Sequence, residues 1–380
     1  MLPPFALLAA AAAAAPAAPE PTPVHWYDTV TVSGYVDVYY GWATNRPLSG
    51  AAFTDGAGTT AKRSDEFSLN LAAFDLALAQ GPVSLRLVLN YGTSTEIVHG
   101  AEPTGAGIGR EAWKLVQQAY VGYRFDVRSG LLIEGGIFPS HIGFEVLPSK
   151  DNWTYTRAFM SDYSPYYQAG VRALLQATDA LTLGLHVLNG WQVIGENNEW
   201  KTLGTQLAWR RPGGALGLSW NTCLGPEPAT PPPVPGLRST EDEWRLLSDL
   251  TAAWDLTPRL QLAATWDVGA QQRPGLDATS FHGGALYVRA AFLPERLFMT
   301  LRGEYYHDDA GAITGVAQTL SGATLTLETR AAGHLIVKLE GRIDHSTAPV
   351  FDDRPLDPSG LRPAKARDQG LFVLGAVATF

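Results

Sequence analysis

The sequence predicts an all-β protein, a transmembrane antiparallel β-barrel of about 16 strands with short periplasmic turns and long extracellular loops. Three observations carry this reading. Apolar and polar residues alternate at period two along almost the whole chain, short and long connections alternate, and aromatic side chains gather at strand ends.

Composition narrows the alternatives. The chain has 380 residues, 46% apolar and 17% charged, whereas an ordinary soluble domain carries about 25% charged residues. There is enough apolar surface to exclude disorder. No segment after the N-terminus approaches the roughly 18 uninterrupted apolar residues of a membrane helix. A net charge of −9 with no basic run gives no electrostatic footprint for nucleic acid.

Residues 1–18, MLPPFALLAAAAAAAPAA, form an apolar stretch ending in small residues and are expected to be a secretory signal. The first Lys or Arg is Arg46, which leaves a plain Ala/Pro leader as the alternative. Residues 19–28 read as a short linker and residues 29–380 as one barrel domain. Cys223, the single cysteine, has no partner for an internal disulfide or a zinc set.

Strands are expected to begin near Val30, Phe67, Val83, Trp113, Leu131, Tyr167, Leu181, Lys201, Ala215, Trp244, Leu260, Phe281, Leu297, Thr319, Leu335 and Leu371. In the first, Val30, Val32, Val36, Val38, Tyr40 and Trp42 share one parity, and Thr31, Ser33, Tyr35, Asp37 and Tyr39 take the other. Leu260, Leu262, Ala264, Trp266 and Val268 repeat the split against Gln261, Thr265 and Asp267. Short turns at 80–82, 127–130, 178–180, 211–214, 257–258, 294–295 and 331–333 alternate with longer loops centred on Thr54, Gly105, Ser149, Gly195, Pro232, Pro274, Ala310 and Asp357. A soluble sandwich has no reason to sort its connections in this way, whereas a membrane barrel does.

The aromatics form two girdles. Tyr40, Trp42, Tyr91, Trp113, Tyr167, Trp220, Trp244, Trp266 and Tyr305 fall on the long-loop side, and Tyr123, Phe125, Trp209, Trp254 and Phe292 on the short-turn side. Ordinary core aromatics would sit mid-strand, where this chain has Leu, Val and Ala. Phe380 ends the chain on the apolar parity, a terminal aromatic of the kind read by the barrel insertion machinery.

The stretches GIFPSHIGFEVLPSKDNWTYTRAF (136–159) and VLNGWQVIGENN (187–198), together with SGYVDVYYGW, EFSLNLAAFDLAL and QQAYVGYRF, resemble the OmpL-like family of outer-membrane β-barrel porins. The resemblance covers nearly all of the chain after the leader. It departs in the loop from Cys223 to Glu243, which carries the insert TPPPVPG, and in a first loop rich in small residues. It implies a place in the Gram-negative outer membrane among its lipids and lipopolysaccharide, and no cofactor. A homotrimer is expected by analogy with porins of this strand number.

With the apolar parity facing lipid, the other parity lines the lumen. That set includes Asp37, Arg86, Lys114, Arg124, Glu134, Arg172, Arg245, Asp249, Asp267, Arg289, Arg302, Glu304, Lys338, Glu340 and Arg342. About eight strands can be filled by side chains, whereas about sixteen leave an aqueous channel. The expected function is therefore passive diffusion of small hydrophilic solutes and ions. The alternatives are cross-strand ion pairing for the individual charges and, for the protein, an occluded barrel serving surface binding, adhesion or architecture.

The connection at 139–165 is the longest, about 27 residues, and structureless loops beyond about 12 to 15 residues are usually functional or disordered. Ile142, Phe144, Val146, Trp153, Tyr155, Phe159, Tyr163 and Tyr166 need a wall to pack on. The loop is expected to fold into the barrel, with Glu145, Lys150, Asp151, Arg157 and Asp162 at the constriction. A lid over the mouth, or a contact with a neighbouring subunit, is the alternative.

Enzymatic signals are weak. GLHVLNG (184–190) has Leu188 where a barrel phospholipase places its serine, so the nucleophile is missing. The glycines at 105, 107 and 109 lack a strand-turn-helix context. His141 and Glu145 have no second His or Cys near them in sequence to complete a metal set. Asp308, Asp309, Asp352 and Asp353 read as solvated loop charges.

Overall fold

The computed structural model describes residues 25–100, 102, 109–227, 243–273 and 276–380. The expected signal at 1–18, most of the linker at 19–28, the glycines at 105 and 107 and the Pro-rich insert around Pro232 lie outside the described residues.

Sixteen strands close into one antiparallel barrel. Its first half comprises β1 (Val30–Ala43), β2 (Glu66–Gln80), β3 (Val83–Tyr91), β4 (Val116–Phe125), β5 (Leu131–Pro139), β6 (Tyr167–Gln176), β7 (Leu181–Leu188) and β8 (Thr202–Arg210). The second half comprises β9 (Leu216–Pro226), β10 (Trp244–Thr257), β11 (Leu260–Arg273), β12 (Leu276–Leu293), β13 (Leu297–Asp308), β14 (Gln318–Ala331) and β15 (Leu335–Ser346). The hairpin β16 (Phe351–Leu356) and β17 (Pro363–Ala366) stands apart in the last long loop, and β18 (Asp368–Thr379) returns to pair with both β15 and β1. The seam is locked at the chain end, where Gly34 and Phe380 exchange both backbone hydrogen bonds at 3.1 and 3.0 Å. Closure leaves no strand edge, the condition for a sheet to cross a bilayer.

Parity sorts the side chains as the alternation requires. Val32, Val36 and Val38 of β1 are exposed on the lipid side, while Tyr35, Asp37 and Tyr39 are buried inside. Leu286 in β12 is 67% exposed, and Trp220, Trp244, Trp254, Trp266, Tyr305 and Phe292 stand on the outer face near strand ends. In an aqueous solvent this belt would be an aggregation surface; in a membrane it is the solvated face.

Four expectations are corrected. The connection at Pro274 is not a long loop: β11 runs to Arg273 and pairs with Leu276, because the hairpin ladder continues past Gln271 and Thr279 beyond the lipid-facing belt. Trp113 belongs to a helical turn, α2 (Arg110–Trp113), and not to a strand. Lys114 beside it is no wall residue, since it ion-pairs with Glu96 at 2.6 Å and Glu111 at 3.1 Å within its own loop. Tyr167 is 4% exposed rather than part of a girdle, because its hydroxyl donates to Glu102 and its ring stacks on His99 at 4.6 Å.

The connections that follow β1, β3, β5, β7, β9, β11, β13 and β15, called L1 to L8 in chain order with L2 at 92–115, leave from one end of the barrel, and the short turns lie at the other end with Val30 and Phe380. A protease site inserted at Ser359, in the turn of the β16–β17 hairpin, is expected to be cut on intact cells, and one inserted at Gly213, between β8 and β9, to be spared. Cleavage in the reverse pattern would invert the orientation.

Candidate functional site

L3 (140–166) leaves β5, crosses the barrel interior and returns to β6. Its helical turn α3 (Phe159–Asp162) is fully buried. The wall it lies on is β1, β18 and β13 to β15, and that wall supplies charged groups that satisfy the loop backbone. Glu340 accepts Tyr155 N at 2.6 Å, Thr156 N at 2.9 Å and Thr156 Oγ at 2.5 Å. Glu304 accepts Phe159 N at 2.6 Å. Lys338 donates to the carbonyls of Ser149 and Asn152 at 2.8 and 2.5 Å. Asp37 accepts the hydroxyls of Ser149 and Tyr155. An irregular segment buried without such partners would leave its amides and carbonyls unsatisfied, at about 1 to 3 kcal/mol each.

Arg302 is the hub. Its guanidinium pairs with Glu145 at 3.1 Å and Glu304 at 3.0 Å, and donates to the Thr156 carbonyl at 2.6 Å. Burial alone would raise the Glu145 carboxyl, but Arg302 and Arg157 outweigh it and hold that group below its ordinary value. Arg157 is itself 1% exposed and ties the two legs of the loop together through the carbonyls of Val146, Leu147 and Tyr155. Gly375 of β18 is the seat of Tyr155: a Cβ there would lie 2.3 Å from the ring.

L1 (44–65) is folded inward as well, packed on L3. Ala52, Phe53, Ala57 and Ala61 join the same interior apolar cluster as Phe144, Trp153, Tyr155 and Phe159. The Asp162 carboxylate is the clasp, accepting Gly58 N at 2.6 Å and Thr59 Oγ at 2.5 Å from L1 and Tyr166 Oη at 2.9 Å from its own loop. The guanidinium of Arg342 lies between Phe53 of L1 and Phe159 of L3, 4.9 and 4.6 Å from the ring centres. Lys62 bends back onto the carbonyls of Thr54 and Ala57, and burial draws its ammonium down to about 8.

The interior holds a cavity of about 1570 Å³. It begins at the short-turn rim, at Gly130, Ala180 and Gly333, and reaches L3 and His99 of L2. Its side wall is β3 to β8, where Arg86 pairs with Asp75 at 2.6 Å and Arg172 with Glu134 at 2.6 Å. Lys150 and Asp151, paired at 2.9 Å, face it from L3.

The residues singled out in the sequence thus divide into two groups. Arg86, Arg124, Glu134, Arg172, Lys150 and Asp151 line the cavity. Asp37, Arg302, Glu304, Lys338, Glu340 and Arg342 do not form a water-facing wall, because L3 covers them and uses them as anchors. Glu145 touches the cavity, but its carboxylate is spent on Arg302, while Arg157 and Asp162 hold L3 and L1 in place. Inward folding of L1 was not anticipated, although its run of Ala, Gly and Thr is the composition that lets a backbone pack closely.

Asp249 and Asp267 are register partners on β10 and β11, and Ser164 of L3 donates to Asp267 at 2.7 Å. His141 stacks on His186 at 4.0 Å, pairs with Gln168 at 3.0 Å, and is held neutral by burial, which draws it down to about 4. Among the described residues no group of three or more His, Cys, Asp or Glu is placed to hold a metal ion.

Solved structures share this architecture. The outer membrane channel DcaP of Acinetobacter baumannii superposes with a TM-score of 0.59 at 11% identity, covering 92% of this chain and 97% of that one. An anion-selective porin from Comamonas acidovorans gives 0.58 at 10%, covering 92% and 99%. The trimer form of OmpT of Vibrio cholerae gives 0.55 at 10%, covering 93% and 99%. These likenesses establish the fold. No curated protein matches the chain. The family model described as "Putative beta-barrel porin-2, OmpL-like" matches residues 29–380, so the chain belongs to that family and is a porin of the Gram-negative outer membrane, a channel for passive diffusion.

Proposed function

We propose that solutes pass through the crescent between L3 and the β3 to β8 wall, with Lys150 and Asp151 opposite the Arg86–Asp75 and Arg172–Glu134 pairs at its narrowest part, and that the passage favours small anions. The observation that carries the charge preference is the cavity lining, which holds eight Lys or Arg against six Asp or Glu in a chain whose net charge is −9. The surplus sits within low-dielectric walls, where a field is focused rather than screened. Arg124 strengthens it, since its guanidinium donates to the Ser129 carbonyl and has no carboxylate partner among the described residues.

The test is a planar bilayer with a salt gradient. Discrete conductance steps with a reversal potential on the chloride side are expected. A potential on the potassium side overturns the anion preference, and an absence of steps supports the occluded barrel. A homotrimer is the proposed assembly, supported by the trimeric form of a structural neighbour, and chemical cross-linking of the native membrane tests it. Phe380, 68% exposed on the barrel surface, is the proposed signal to the insertion machinery.

A further inference from the structure

We propose that the inner vestibule of the channel holds a binding site for small solutes bearing carboxylate, phosphate or sulfate groups, built from Arg289, Arg296 and Arg330 on the β12 to β14 wall; this rests on reading the cavity as the diffusion path. The site begins with an imbalance. One buried carboxylate, Glu328, serves three cations: Arg330 at 2.7 Å, Arg289 at 2.9 Å and Lys338 at 3.4 Å. Lys338 is turned to the carbonyls of L3, so its charge is partly absorbed there. Arg289 and Arg330 line the cavity with a positive surplus between them.

The geometry is that of a prepared site rather than of two surface arginines. The Arg289 guanidinium lies over the Phe298 ring at 3.9 Å and over the Trp153 ring of L3 at 5.7 Å. Phe298 carries Arg330 as well, at 5.2 Å. Stacking fixes a guanidinium plane and leaves its edge for bidentate hydrogen bonding to an oxyanion. Arg289 is 2% exposed, and its Nε has no hydrogen-bond partner. A buried donor left open costs stability unless something fills it. Arg296, in the turn between β12 and β13, lines the same cavity, and no carboxylate pairs with it among the described residues. The adjacent Glu295 is the one acid of that turn; it lines the cavity too and is exposed, as Arg296 is.

This position gives a directional signature. The vestibule opens on the short-turn rim and lies between that rim and L3, so an oxyanion arriving from the periplasmic side meets the arginines before the constriction. The probe is inorganic phosphate, read as interruption of each variant's own chloride current and, independently, by calorimetry on the assembled barrel. Phosphate is expected to interrupt the current at lower concentration from the periplasmic side. R296Q/R330Q should weaken binding by about ten- to hundredfold, the worth of a charged hydrogen bond. E328Q should tighten it, since the competing carboxylate is gone. Opposite signs in the two variants separate a binding site from a general disturbance of the wall. Equal interruption from both sides, unchanged binding in R296Q/R330Q, or weaker binding in E328Q would overturn the site. Calorimetric binding without chloride current in any variant would retain the site and remove the diffusion path instead.

Discussion

Excising 149–162 from L3 and joining the ends with a short Gly-Ser link is expected to raise single-channel conductance severalfold. The removed segment contains Tyr155 and α3, which fill the interior over β13 to β15 and β18, and it contains Asp162, the clasp that holds L1. One deletion therefore takes away both obstructions. The barrel should survive it, because L3 contributes no strand to the ladder and each of the sixteen strands keeps both neighbours. The anchors left behind, Arg302, Lys338, Arg342, Glu304 and Glu340, would be uncovered to water together. Breaking a buried pair by removing one partner strands a charge at about 3 to 5 kcal/mol, but solvating the whole set removes the desolvation penalty. Asp162→Ala alone should give a smaller rise, since it loosens L1 at Gly58 and Thr59 but leaves Thr54 on Tyr163, Phe53 N on Gln369, and Glu304, Glu340 and Lys338 holding L3. Wild-type conductance in a correctly assembled deletion variant would show that L3 does not limit flow.

The barrel is legible in the sequence because a membrane strand must declare its two faces residue by residue. β1, β10 and β11 do so over fourteen residues each. The site is only half legible, for a definite reason. Parity says which side chains point inward, but not what they meet there. On β3 to β6 they meet the cavity, and Arg86, Glu134 and Arg172 line it. On β13 to β15 they meet L3, so Arg302, Glu304 and Glu340 bind a backbone that sequence alone does not place. The same cover explains the interior apolar residues Tyr287, Tyr306, Leu320 and Val373, which interrupt the polar parity where L3 and L1 lie. The length and aromatic content of L3 announce inward packing, but its charges mislead. Arg157 and Asp162 look like pore charges and serve as internal ties. L1 has a single aromatic, Phe53, to signal packing, and its small residues read equally well as a flexible surface loop.

Arginine in place of Leu286 should block assembly of the barrel, whereas lysine in place of Gln261 should be tolerated. Leu286 is 67% exposed on the face of β12 that meets lipid, opposite Ala264 on β11 and Gly303 on β13, so no neighbouring side chain shields or pairs a guanidinium there. An arginine at the bilayer midplane costs about 2 to 4 kcal/mol, falling to about 0 to 1 near the interfaces. Gln261 sits on the opposite parity, its amide donating to Asp255 at 2.6 Å, and a lysine there replaces that hydrogen bond with an ion pair on the lumen side. Folding into lipid vesicles under a urea titration measures both, and heat-modifiable migration reports the assembled fraction. Leu262→Arg, half-buried on the same parity, should fall between the two. The ordering separates the two faces more sharply than either variant alone, because a general intolerance of basic residues would penalise all three. Loss at Gln261 with tolerance at Leu286 would mean that the lipid and lumen faces are exchanged, and with them every assignment of a wall charge to the pore.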